Sequence, residues 1–130
     1  MKKKDSLINV ARKARRRAKA PYSRFKVGAA LESADGKVYS GCNIENASYG
    51  LTICAERVAL VKALSEGAKR FANIAIYTNA RKLTPPCGAC RQLLWEYCGN
   101  IPVHMSNPSG KVLTYRLGEL LPLPFDRRSL

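Results

Sequence analysis

Residues 52–79, TICAERVALVKALSEGAKRFANIAIYTN, join the clearest helix of the chain to its clearest strand. Apolar residues recur at three- and four-residue spacing from Thr52 to about Gly67, and Gly67 suits the position just past a helix end. NIAIYTN is a continuous β-branched run, the pattern of a strand buried on both faces. Downstream, Pro85 and Pro86 punctuate the chain before a second helix, roughly Cys87 to Tyr97. IPVHMS and KVLTYR read as two further strands, and GELLP as a short terminal turn of helix. Upstream, FKVGAALESADGKVYSGCNI places two β-rich runs around Asp35-Gly36, a strong hairpin signal. Before that, Leu7, Val10 or Ala11, Ala14 and Ala18 recur at helical spacing, with basic residues mostly between them. They predict a basic amphipathic helix over residues 1–20 that ends before Pro21. A hairpin followed by alternating helix and strand predicts an α/β domain over 1–130, with helices on both faces of a mixed sheet.

The 130 residues suit one domain, and an apolar share of 46% spread along the chain is enough for a core. No run approaches the roughly 18 apolar residues of a membrane span. The start, MKKKDSLINVARKARRR, lacks the apolar stretch of a signal peptide, so a cytoplasmic protein is expected. Residues 1–26 hold eleven Lys or Arg against Asp5, and so +10 of the net +14. The excess charge thus belongs to one segment and is separate from the chemistry of the rest.

Five cysteines, an odd number without a secretion signal, argue against a disulfide framework and for metal or catalytic use. Cys87 and Cys90 form a C-x-x-C pair in TPPCGACRQ (84–92). As a redox dithiol the pair needs only a helix N-terminus to lower a thiol pKa, which leaves Cys54 unexplained. A closed structural zinc site needs four protein ligands, with Cys54 as a third and Cys42, Cys98 or His104 as a fourth. None of those three fourth candidates sits at a recognised ligand spacing, and Cys42 and Cys98 read more simply as small buried hydrophobes. A catalytic site uses Cys54, Cys87 and Cys90 and leaves the fourth position to water. Both groups open helices, whose N–H groups and dipoles favour thiolate. Glu56 lies close enough to Cys54 to bond that water without ligating the metal. Arg57, or Arg91, would draw charge off the sulfurs, offsetting the net −1 of zinc with three thiolates. C-A-E at one helix start and P-C-x-x-C at another is the three-cysteine form of the zinc deaminase signature described for base-modifying enzymes.

Here the sequence resembles the small, homotetrameric cytidine deaminases. APYSRFKVGAAL, GKVYSGCNIENASYGLTICAER, PPCGACRQ and GELLP are similar to that family's blocks, and with the elements between them they span about Ala20 to Phe125. The resemblance implies an α/β/α sandwich with a mixed five-stranded sheet. It also implies hydrolytic deamination of cytidine or deoxycytidine to uridine or deoxyuridine, in pyrimidine salvage. One zinc per subunit would be held by Cys54, Cys87 and Cys90, with Glu56 moving protons between water, ring N3 and the leaving ammonia. Phe25 would stack on the base, and Asn43 and Glu45 would bond the ribose 3′-hydroxyl. The backbone around Ala55, with Cys87, would read the pyrimidine edge. Tyr49 and Phe125 would reach into a neighbouring subunit's pocket, so that the tetramer shares its active sites. Two features depart from the family: Pro85, where a small polar residue is more usual, and the strongly basic first helix.

Pattern alone offers plainer roles for several of these residues. Phe25 could be core, Glu45 an exposed turn residue, Asn43 a loop cap and Tyr49 core; Glu56 could simply complement a helix dipole. His104, the single histidine, is expected at a strand surface with no chemistry. Three rival functions follow. A deaminase of a modified cytosine nucleoside of the blasticidin type would keep the same zinc residues, but NIENASY favours an ordinary nucleoside. An RNA-associated deaminase would use KKK and RKARRR to hold phosphates. Such charge runs are usually solvated faces, and no aromatic platform for single strands accompanies them in the sequence. A zinc-stabilised binding module would not need Glu56.

Overall fold

The computed structural model describes residues 3–130. Five strands, β1 (Val27–Ser33), β2 (Val38–Cys42), β3 (Phe71–Thr78), β4 (Pro102–Ser106) and β5 (Val112–Arg116), form one sheet in the order β2-β1-β3-β4-β5. Only β3 and β4 run parallel; the other pairs are antiparallel. The helices are α1 (Lys3–Arg15), α2 (Ala55–Ser65), α3 (Gly88–Cys98) and the short α4 (Leu117–Leu120). The expected mixed five-stranded α/β/α sandwich is the observed fold.

Strand alternation divides the core. Ala29 and Leu31 of β1, Ile74 and Ile76 of β3, and Val103 and Met105 of β4 face α2 and α3, where Leu60 and Leu94 meet them. Ala30, Ala75 and Tyr77 face the other way, onto Leu7, Ile8 and Ala11 of α1. A period of two in the strands and of three to four in the helices is sufficient to place these residues.

The local signals hold. Gly36 takes φ 91 in the β1–β2 turn, a left-handed conformation costly for a residue with a Cβ. After α2, Gly67 (φ 94) donates to the Leu64 carbonyl at 3.0 Å and Ala68 to that of Ala63 at 3.0 Å, the paired bonds that close a helix end.

Two expectations are corrected. The first helix stops at Arg15 and does not continue to residue 20. Arg16, Arg17 and Ala18 close tighter turns, and the Lys19 backbone then pairs with that of Asn43 and Glu45. Tertiary pairing thus ends the helix before Pro21 can. His104 is not at a strand surface: it is 7% exposed beneath α1. Its Nδ1 lies 2.9 Å from Thr114 Oγ1 and its Nε2 3.1 Å from Asn73 Oδ1, so burial leaves no ring nitrogen unpaired.

Candidate active site

Cys54 and Cys87 occupy the same structural position, the extended residue before the first turn of α2 and of α3. Neither side chain caps its helix, so both sulfurs are free to converge. Cys90, one turn into α3, is fully buried. The three sulfurs lie within 4.8 Å of one another, and those of Cys87 and Cys90 are 3.5 Å apart. Sulfurs about 2.3 Å from a common tetrahedral ion stand about 3.8 Å apart, so the cluster fits one zinc. Among the described residues no further His, Cys, Asp or Glu joins the cluster, so Cys42, Cys98 and His104 do not complete a closed four-ligand site.

The electrostatics agree. The Cys54 thiol is lowered to about 5, chiefly by the S–H of Cys90 and then that of Cys87, with the Arg57 charge also favouring thiolate. Cys90 moves the other way because it donates to Cys54 and is buried beside Glu56. Metal binding would displace the proton that this environment holds on Cys90. Arg57 donates from Nη2 to the Thr52 carbonyl at 2.8 Å. Its Nε is the one buried side-chain nitrogen or oxygen among the described residues that lacks a hydrogen-bond partner. Arg91 donates to the carbonyls of Pro86 (2.7 Å) and Leu120 (2.8 Å), tying the start of α3 to the end of α4.

Beside the cluster lies a cavity of about 270 Å³ that Cys54, Ala55, Glu56 and Cys87 line together with Phe25 and Asn43. Glu56 is 5% exposed, and its carboxyl is raised to about 7, first by burial and then by the Cys54 charge. A carboxyl poised near neutrality can both take and give a proton.

Asn43 is buried. It accepts from the Val27 N–H at 2.8 Å and donates to the Phe25 carbonyl at 2.8 Å, so it also fixes the strand entrance beside which Phe25 lies. Glu45 lines this cavity and an adjoining one of about 330 Å³. One of its oxygens accepts from the N–H groups of Tyr22 (2.9 Å) and Ser23 (3.1 Å), and the other from the Ser23 hydroxyl. These bonds hold its pKa below the usual carboxylate range, the Ser23 hydroxyl most strongly. The turn they clamp carries Arg24 at φ 58 and leads to Phe25 on the cavity wall.

Tyr49 lines the outer cavity and packs edge-on against Tyr22, with 77% of its surface exposed. Phe125, 63% exposed, lines neither cavity of its own chain; its carbonyl accepts from Gln92. The sequence reading missed Ser23, Thr52 and Thr84 as lining residues. Small hydroxyl residues in loops carry no spacing signal that would have singled them out.

An α/β/α fold with three converging cysteines able to hold a metal ion and a buried carboxylate at the adjoining cavity fits the class of zinc-dependent hydrolytic enzymes. A family model described as the cytidine and deoxycytidylate deaminase zinc-binding region matches residues 1–105. Cytidine deaminase of Halalkalibacterium halodurans is 50% identical over 125 residues, covering 95% of this chain and 95% of that protein. A crystal structure of cytidine deaminase from Burkholderia pseudomallei superposes with a TM-score of 0.91 at 48% identity, covering 96% of this chain and 100% of that one. The chain belongs to the cytidine deaminase family. Blasticidin-S deaminase of Bacillus cereus is more distant, 30% identical over 113 residues, with 81% and 80% of the two chains covered.

Proposed function

We propose that the protein hydrolyses cytidine and deoxycytidine to uridine and deoxyuridine, releasing ammonia. The observation that carries this reading is Glu56: a carboxyl raised to about 7 on the cavity wall beside the three-cysteine cluster. Zinc held by Cys54, Cys87 and Cys90 supplies, when bound, the Lewis acidity that makes water a nucleophile at neutral pH. Glu56 takes one proton of the water that attacks C4 and hands it to ring N3; it then takes the proton of the C4 hydroxyl as the carbonyl forms and gives it to the amine as the C4–N bond breaks.

Phe25 stacks on the base. Backbone groups at Ala55 and Cys87 read the pyrimidine edge. Asn43 and Glu45 bind the ribose, and the bonds that already orient them favour one sugar position over many. Arg57 draws charge from the thiolates through its unpaired Nε–H, a partner for Cys54. Arg91, whose charge was a candidate for the same task, supports the site through the carbonyls of Pro86 and Leu120. Tyr49 and Phe125 project from the subunit, which supports a homotetramer in which they complete a neighbour's pocket. The setting that fits such an enzyme is cytoplasmic nucleoside salvage. No helix among the described residues is long and apolar enough to cross a membrane.

Ammonia release from cytidine, measured beside a Glu56→Gln variant of known zinc content, tests this. Turnover by the parent and a loss of about 10²–10⁴-fold in a zinc-loaded variant is the expected result. Zinc in both proteins with ammonia from neither would reject cytidine as substrate and favour a modified nucleoside. Unchanged turnover in the variant would remove Glu56 from the mechanism.

A further inference from the structure

The proposed deaminase chemistry makes no use of the charge concentrated in residues 1–26. α1 seats Leu7, Ile8 and Ala11 on the sheet, which leaves its cations half-buried or exposed. Lys13, Arg16 and Arg17, all exposed, stand at three- and four-residue spacing around the helix end. The following chain returns beside them. Arg24 donates its N–H to the Ala20 carbonyl at 3.0 Å, and Arg15 Nε donates to the Lys26 carbonyl at 3.1 Å, tying the exposed Lys26 to the last turn of α1. Lys13, Arg16, Arg17, Lys19, Arg24 and Lys26, all exposed, thus follow one another along the end of α1 and the segment after it, and among the described residues none of the six forms an ion pair. Glu45, the acid paired through its backbone with Lys19, has both carboxylate oxygens committed to Tyr22 and Ser23.

Complementing the helix dipole accounts for cations in the last turn of α1. It does not account for those from Arg16 to Lys26. A row of unpaired cations without a point of convergence suits an extended polyanion better than a single phosphate. An anionic bilayer suits it less well, because the apolar stripe of α1 is buried and leaves no face to insert. We propose that the surface from Lys13 to Lys26 binds nucleic acid through its phosphodiester backbone, without reading sequence. This is independent of the deaminase reading and survives its failure.

The test is anisotropy of a labelled oligo-uridylate, which offers no cytosine to react, titrated with the full chain at several salt concentrations. Binding should weaken with salt at a slope of about −0.7 per phosphate contact, and the combined Lys13→Gln, Arg16→Gln, Arg17→Gln variant should flatten that slope by about 2. Denaturant unfolding of that variant reports its folding. The charge-keeping set Lys13→Arg, Arg16→Lys, Arg17→Lys should retain parental binding. No binding at low salt, or a slope that the neutral variant leaves unchanged, overturns the proposal. So does tighter binding to phosphatidylglycerol vesicles at matched charge, which would make the partner a bilayer.

Discussion

Gly28 and Gly41 lie on paired strands and on opposite faces of the sheet, and each admits the backbone of a helix. A Cβ at Gly28 would stand 1.9 Å from the Ala11 carbonyl oxygen of α1. One at Gly41 would stand 2.6 Å from both the Ala55 oxygen and the Ala59 nitrogen of α2. The device is the same, but the surroundings differ. Under α2 and α3 the contact is filled by Leu31, Leu60, Ile76 and Met105, all buried. Under α1 the strands offer Ala30 and Ala75 and a polar chain. In that chain Asn73 Nδ2 donates to Glu32 Oε1 at 2.7 Å, Glu32 Oε2 meets Lys3 at 3.5 Å, and His104 joins Asn73 to Thr114. Because the Asn73 nitrogen donates to Glu32, its oxygen accepts, which places the His104 proton on Nε2 and leaves Nδ1 to accept from Thr114. Dense apolar packing therefore sits where the starts of α2 and α3 must be held for catalysis. The face that carries only a surface helix accommodates polar groups, provided each is paired.

That contrast can be broken by experiment. Gly28→Ala should cost about 3 kcal/mol, the upper end for overpacking, because backbone meets backbone. Denaturant unfolding reads the loss, and zinc content and turnover per folded molecule should stay at the parental level. Gly41→Ala should cost less, about 2 kcal/mol, yet lower zinc retention under a chelator, because it displaces the turn that bears Cys54 and Glu56. Equal zinc loss in the two variants would show that the faces are not independent.

Asn73→Ala leaves Glu32 and His104 short of a partner and should cost about 1–2 kcal/mol, again without loss of zinc. The smallest effect concerns pH. Burial, and secondarily the Lys4 charge, hold His104 below its usual 6.5. The unfolded chain therefore takes up that proton first as pH falls. Stability from this group is complete above about 6.5 and declines as pH drops through the lower native value. His104→Gln should remove this decline, so that the stability of the parent relative to the variant falls as pH drops over that range. An unchanged curve would place the neutral ring elsewhere than the network indicates.

Much of this site could be read from the chain because its chemistry is local. Cys54 with Glu56, and Cys87 with Cys90, each belong to one helix start, where spacing of one or two residues fixes relative position. The same holds for the Asp35-Gly36 turn and the Gly67 helix end. Residues whose partners are distant in sequence were not legible in this way. Glu45 acts on Tyr22 and Ser23 across more than twenty positions, and Asn43 on Phe25 and Val27 across sixteen or more.

The sequence by itself determined the element order, the three thiols able to hold a metal ion, the carboxylate beside them and the segment that holds the charge. Periodicity, capping and short spacing are properties of contiguous residues. Only the tertiary structure decided that α1 ends at Arg15, that His104 is buried and paired, and that Arg91 serves two carbonyls. It also decided that two glycines set the depth of two helices on one sheet. Each of those outcomes depends on which backbone lies within a few ångströms of another, and packing of distant segments settles that.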